Sequence, residues 1–180
     1  MTEIQENKIN HFFNVLDNDG NGILESEDFQ LVSESMCDIR KLEQNATERL
    51  NLSLKAHSLF VQVLKALKKD TAVIRREEWK KFFENDVLSK QNDYINQVST
   101  YIFSIFDQDG DGYIDEREYL DMFKAYGLYS APAKKAFDML DLNGDKKISG
   151  GELVKAFEDF FLSSNEKAPG NWIFGDWRNN

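Results

Sequence analysis

Apolar residues recur along this chain at three- and four-residue intervals in eight separate runs. Ile9, Phe12, Phe13 and Leu16 form the first, and Phe29, Val32 and Met36 the second. Leu59, Phe60, Val63, Leu64 and Leu67 are followed by Trp79, Phe82, Phe83 and Val87. Ile95, Val98, Ile102, Ile105 and Phe106 precede Tyr119, Leu120, Met122, Phe123 and Tyr126. Ala136, Phe137 and Leu140 precede Leu153, Phe157, Phe160 and Phe161. A 3.6-residue turn brings such positions to one face, so each run predicts an amphipathic helix with its stripe turned to a core. Gly127 suits a helix end, and Ser130 with Pro132 suits the next start. The expected class is all-α, with eight helices in four consecutive pairs.

Between the fifth and sixth runs lies Asp107-Gln108-Asp109-Gly110-Asp111-Gly112-Tyr113-Ile114-Asp115-Glu116-Arg117-Glu118. Oxygen-bearing side chains fall at positions one, three, five, nine and twelve, with glycine at six and an apolar residue at eight. That is the spacing of a calcium-binding EF-hand loop. Calcium takes roughly six to eight oxygens at about 2.3–2.6 Å, so the chain must wrap around a point and present ligands at alternating positions. Asp107, Asp109 and Asp111 are expected to give one oxygen each, Tyr113 its carbonyl, Asp115 a contact through water, and Glu118 both oxygens.

The pattern repeats. In the loop 17–28 the ligand positions hold Asp17, Asp19, Asn21, the Ile23 carbonyl, Glu25 and Asp28. Asp28 replaces the usual Glu at position twelve; its shorter side chain reaches around calcium less easily, so magnesium should compete best here. In the loop 141–152 they hold Asp141, Asn143, Asp145, the Lys147 carbonyl, Ser149 and Glu152. Lys146 stands where glycine is usual, and a left-handed backbone there costs on the order of 1 kcal/mol. A fourth stretch, 67–78, aligns through Ile74 at position eight and Glu78 at twelve, but Leu67 and Lys69 occupy positions one and three. Lys68, Lys69, Arg75 and Arg76 would repel a divalent ion, so this hand is expected to keep the fold without a metal.

The expected organisation is an N-terminal pair over 1–90, a C-terminal pair over 91–164 and a tail over 165–180. The loops of the first pair start 50 residues apart and those of the second 34, which places an insertion at roughly 39–56. In the tail, Trp172, Ile173, Phe174 and Trp177 would be a sticky patch in water, and are expected to pack between the lobes. Charge and composition narrow the function. A net charge of −10 argues against nucleic acid and anionic membranes, which need basic faces, and favours cations. The 14 Phe, 6 Tyr and 3 Trp mean that this acidity does not imply disorder. Cys37, the single cysteine, cannot form an internal disulfide, and Met1-Thr2-Glu3 does not start like a secretion signal. A cytoplasmic monomer is expected, with the sequons at Asn45 and Asn51 unmodified.

Metal-competent loops one, three and four, a silent second hand, Asp28 at position twelve, the long first-pair spacing and the segment Ala168-Pro169-Gly170-Asn171-Trp172-Ile173-Phe174-Gly175 together resemble the sarcoplasmic calcium-binding proteins and the related calerythrin. The resemblance implies two EF-hand pairs packed face to face, acting as a cytosolic calcium and magnesium buffer that needs no protein target. Two alternatives share the layout: a calcium sensor that exposes an apolar surface, and a coelenterazine-type luciferin-binding protein or photoprotein. Few methionines argue against the first, and the absence of histidine in the C-terminal half against the second. No nucleophile–base pair, phosphate loop or zinc spacing appears, so an enzyme is not expected.

Overall fold

The computed structural model describes residues 1–88, 93–128 and 132–178. The domain boundary expected at 90/91 and the helix start expected at Ser130 lie outside the described residues. Four helix–loop–strand–helix units follow one another. The first is α1 (Glu3–Leu16), β1 (Ile23–Leu24) and α2 (Ser26–Ile39); the second is α3 (Thr47–Ala66), β2 (Ile74–Arg75) and α4 (Arg76–Phe82). The third is α5 (Tyr94–Phe106), β3 (Tyr113–Asp115) and α6 (Glu116–Ala125); the fourth is α7 (Ala133–Leu140), β4 (Lys147–Ser149) and α8 (Gly150–Leu162). Local chemistry sets the ends. Thr2 caps α1 by a reciprocal pair with Gln5, and Gly127 follows α6 at φ 65°.

Each unit pairs with its neighbour through an antiparallel ladder. Leu24 lies opposite Ile74, and Ile114 opposite Ile148. All four side chains are fully buried, so the residue at position eight of every loop is both a ladder partner and a core residue. The ladder also fixes the register of the second loop, with Ile74 at position eight.

The extra length in the first pair goes into a bend and a long helix. α2 ends in a turn that carries Lys41 at φ 56°, and α3 then runs for 20 residues. Arg40 in the bend donates to the Ile105 carbonyl (2.8 Å) and to Glu48 (2.9 Å), and Lys55 donates to the Ser104 carbonyl. These bonds satisfy carbonyls in the last turn of α5, which has no basic residue of its own there. α4 continues into a π-helical turn, Phe83–Val87, that keeps Phe82, Phe83 and Val87 in the core.

The core is built largely from rings. Phe12 of α1 meets Phe161 of α8 at 5.1 Å, Trp79 of α4 at 5.8 Å and Phe174 of the C-terminal segment at 4.7 Å. That segment follows α8 through a 3₁₀ turn, Pro169–Trp172, and buries Ile173 and Phe174 completely. Tyr119 of α6 donates to the Ile173 carbonyl (3.0 Å). Lys8 of α1 is fully buried, and its ammonium donates to the carbonyls of Asp159 (3.1 Å) and Ser163 (2.7 Å) and to Asn171 Oδ1 (2.9 Å). One cation thus ties the first helix to the end of the last and to the segment beyond it. No described helix is long and apolar enough to cross a membrane.

Candidate metal centres

Three loops share one construction. Asp17, Asp107 and Asp141 close the incoming helices, each backbone N–H donating to a phenylalanine carbonyl four residues back: Phe13 (2.9 Å), Phe103 (2.9 Å) and Phe137 (3.0 Å). Their carboxylates then accept N–H groups from further round the loop. Gly22 donates to Asp17 Oδ2 (2.9 Å), Gly112 to Asp107 Oδ2 (3.2 Å) and Lys146 to Asp141 Oδ2 (2.9 Å). That reversal needs a left-handed residue at position six. Gly112 supplies it at φ 85°, and Lys146 adopts it at φ 65° against its Cβ.

Alternate side chains are held by the same device. Asp19, Asp109 and Asn143 accept the N–H two residues on at 2.9, 3.0 and 2.8 Å. Asn21, Asp111 and Asp145 do likewise, each at 2.9 Å. Asp28, Glu118 and Glu152 close each loop from the outgoing helix. One oxygen accepts the position-nine N–H (2.9, 3.0 and 2.8 Å) and the other the position-two N–H (3.0, 2.7 and 3.0 Å). Ile23, Tyr113 and Lys147, whose carbonyls complete the expected sets, lie on β1, β3 and β4.

Two carboxylate clusters result. Asp17, Asp19 and Asp28 each bring an oxygen within 4.8 Å of the others, and so do Asp107, Asp109 and Glu118. Among the described residues, Asp141, Asp145 and Glu152 do not form a third. Asp111 stands outside its cluster; Lys147 of the neighbouring loop holds its Oδ2 at 2.6 Å, with the ammonium 4.8 Å from the Tyr113 ring. Burial pushes the Asp28 and Glu118 carboxyls up, against the backbone N–H groups that stabilise their charged forms. At Glu152 burial also pushes up, but the hydrogen bonds from Ser149, Leu142 and Asn143 outweigh it and the carboxyl lies below its usual range.

The donor set fits a hard divalent cation. Among the described residues, Asp17 Oδ1 is a buried oxygen with no hydrogen-bond donor, and it belongs to a cluster of three acids. A buried carboxylate oxygen left unmatched is costly, and a cation bound by all three acids removes that cost.

Family models describing EF-hand domains match this chain at residues 100–126, 9–33 and 133–157. Calerythrin of Saccharopolyspora erythraea is 27% identical over 164 residues, covering 88% of this chain and 93% of calerythrin. The chain carries EF-hand domains and is similar to calerythrin. Solved structures share its fold, among them the following two. A coelenterazine-binding protein from Renilla muelleri, in a calcium-loaded apo form, superposes with TM-score 0.81 at 23% identity, covering 98% of this chain and 99% of that one. A sarcoplasmic calcium-binding protein from amphioxus gives TM-score 0.72 at 16% identity, covering 98% of both chains.

The second of the four loops departs at its entrance. α3 ends at Ala66, in step with the other incoming helices, but Lys68 then takes φ 55° and Lys69 N–H donates back to the Leu64 carbonyl (3.0 Å), a turn that replaces the Asp-closed entrance of the other three loops. Glu78 still accepts the position-nine N–H, that of Arg75 (2.9 Å), but its other oxygen takes the Lys69 ammonium at 2.5 Å. By its charge alone Lys69 is expected only to repel a metal ion. A lysine at position three combined with a retained glutamate at twelve was the available signal for this pair.

Proposed function

We propose that the protein is a calcium buffer that takes ions at the loops 17–28, 107–118 and 141–152 and none at 67–78. The observation that carries this is the ladder of side-chain oxygens, each held by the N–H two residues on, repeated in those three loops, with Asp17 Oδ1 buried and unmatched in the first. The assigned ligands are Asp17, Asp19, Asn21, the Ile23 carbonyl and Asp28; Asp107, Asp109, Asp111, the Tyr113 carbonyl and Glu118; and Asp141, Asn143, Asp145, the Lys147 carbonyl and Glu152. Magnesium competes most at the Asp28 site. Three calcium ions bring a net charge of −10 to −4, and filling each site at a hundred times its dissociation constant stabilises the fold by about 2.7 kcal/mol.

A buffer, unlike a sensor, keeps its apolar surface covered when calcium binds. The C-terminal segment supports this, because Phe174 fills the space among Phe12, Phe157 and Phe160 and its neighbours are clamped by Lys8 and Tyr119. The same filling weighs against a luciferin carrier. An enclosed apolar cavity beside Leu16, Leu59 and Tyr126 measures about 10 Å³, barely the size of one water. We place the protein in the cytoplasm as a monomer that needs no protein target and performs no catalysis.

Calorimetric titration with calcium, with and without magnesium, tests the reading. Three ions per chain are expected, and fewer than two would overturn it. A dye for exposed apolar surface separates the roles: its fluorescence falls with added calcium for a buffer and rises for a sensor.

A further inference from the structure

The metal-free second loop has a cation of its own. In the other three loops the carboxylate at position twelve joins the loop entrance to the outgoing helix by accepting N–H groups from both sides. In the second, Glu78 keeps the bond to Arg75 N–H, while the entrance is joined to it by the Lys69 ammonium at 2.5 Å. Lys69 keeps only 16% of its side chain exposed and Glu78 38%, so the cation is the covered partner of a pair that faces solvent through its carboxylate. It holds the end of α3 against the start of α4 with no divalent ion.

That closure bears on the first calcium loop. β2 begins two residues before α4 and pairs with β1, setting Arg75 opposite Ile23 and Ile74 opposite Leu24. Ile23 is the residue whose carbonyl completes the first site, and its N–H is held by Asn21 Oδ1 at 2.9 Å. The arm of the first loop that carries two of its ligands is therefore braced by a strand whose own loop is shut by Lys69.

We propose that Lys69 is a positioning residue for the calcium site at 17–28: a tethered cation that keeps the second loop closed and so pre-organises the first. This rests on the reading that 17–28 binds calcium. Binding energy otherwise spent on ordering the Ile23 arm is then available for affinity, as pre-organisation allows.

The test uses the full-length protein and amide NMR. Gly22 N–H bonds to Asp17 and Gly112 N–H to Asp107, so these two resonances report calcium filling of the first and third loops separately. Arg75 N–H bonds to Glu78, so its exchange with solvent in chelator reports closure of the second loop. Lys69→Met should speed Arg75 exchange and weaken calcium binding at Gly22 by about three- to tenfold, leaving Gly112 within twofold. Lys69→Arg keeps the charge and should restore both signals. The proposal is overturned if Arg75 exchange rises while the Gly22 affinity stays put, or if Gly22 and Gly112 weaken together as in a general loss of stability. A wild-type Gly22 resonance that ignores calcium would instead remove the first site itself, and the proposed role with it.

Discussion

Replacing Gly170 by alanine probes how the C-terminal segment is held. A methyl group there would lie 2.3 Å from the Ala156 carbonyl oxygen, 2.6 Å from Ala156 Cα and 2.7 Å from Asp159 Cβ. The two shortest contacts are to the backbone of α8, so no change of rotamer relieves them. The protein takes the cheaper of two routes. If the segment shifts outward while staying docked, forcing a methyl into a packed interior costs about 1–3 kcal/mol. If it undocks, Ile173, Phe174 and Trp177 lose burial worth about 1.5–3 kcal/mol each, against which stands about 1–2 kcal/mol of backbone entropy regained for every residue released. Undocking can only cap the damage, so a loss of about 1–3 kcal/mol is expected. Guanidinium denaturation in saturating calcium measures it, with Trp172 and Trp177 as fluorescent reporters inside the segment itself. Gly150→Ala is the control: its methyl would meet nothing within 4 Å at the first turn of α8, and stability should hold or rise by up to about 1 kcal/mol. A Gly170→Ala protein within about 0.5 kcal/mol of wild type would refute the close-contact argument.

Three further outcomes follow from the same geometry. Lys146→Gly relieves a left-handed backbone at φ 65°, and should raise the melting temperature and tighten calcium binding at 141–152, with a gain on the order of 1 kcal/mol. Lys147→Met frees Asp111 from the 2.6 Å pair, so calcium binding at 107–118 should strengthen a few-fold at low ionic strength, and the gain should shrink in high salt. Burial lowers the Lys8 ammonium to about 8, against the opposing attraction of Asp159. The unfolded chain, with an ordinary lysine value near 10.4, then binds this proton more tightly over roughly pH 8 to 10.4, and stability contributed by Lys8 rises with pH across that window. Denaturation midpoints of wild type and Lys8→Met measured from pH 7 to 10.5 should diverge in that direction, and a constant difference would contradict it.

The sequence by itself determined what is local. Ligand order within twelve residues, glycine at the reversal and apolar residues at helical spacing are one-dimensional properties, so the EF-hand loops and the eight helical stripes could be read before any coordinates. Ile74 could be aligned with Leu24 because both needs, an apolar side chain and a fixed distance to position twelve, lie within the repeat. The tail was legible as a segment that must be covered, though not by what.

The tertiary structure decided the rest, because it depends on which distant groups meet. Lys8 and Asn171 are 163 positions apart, and no local pattern marks that lysine for burial. Gly170 looks like any loop glycine until the backbone of α8 is seen lying against it. Lys69 was legible as a charge that repels metal, yet it bonds Glu78 across a loop entrance where Lys68 turns left-handed. Spacing along a chain fixes which atoms can surround an ion; only packing fixes which cation a given carboxylate meets.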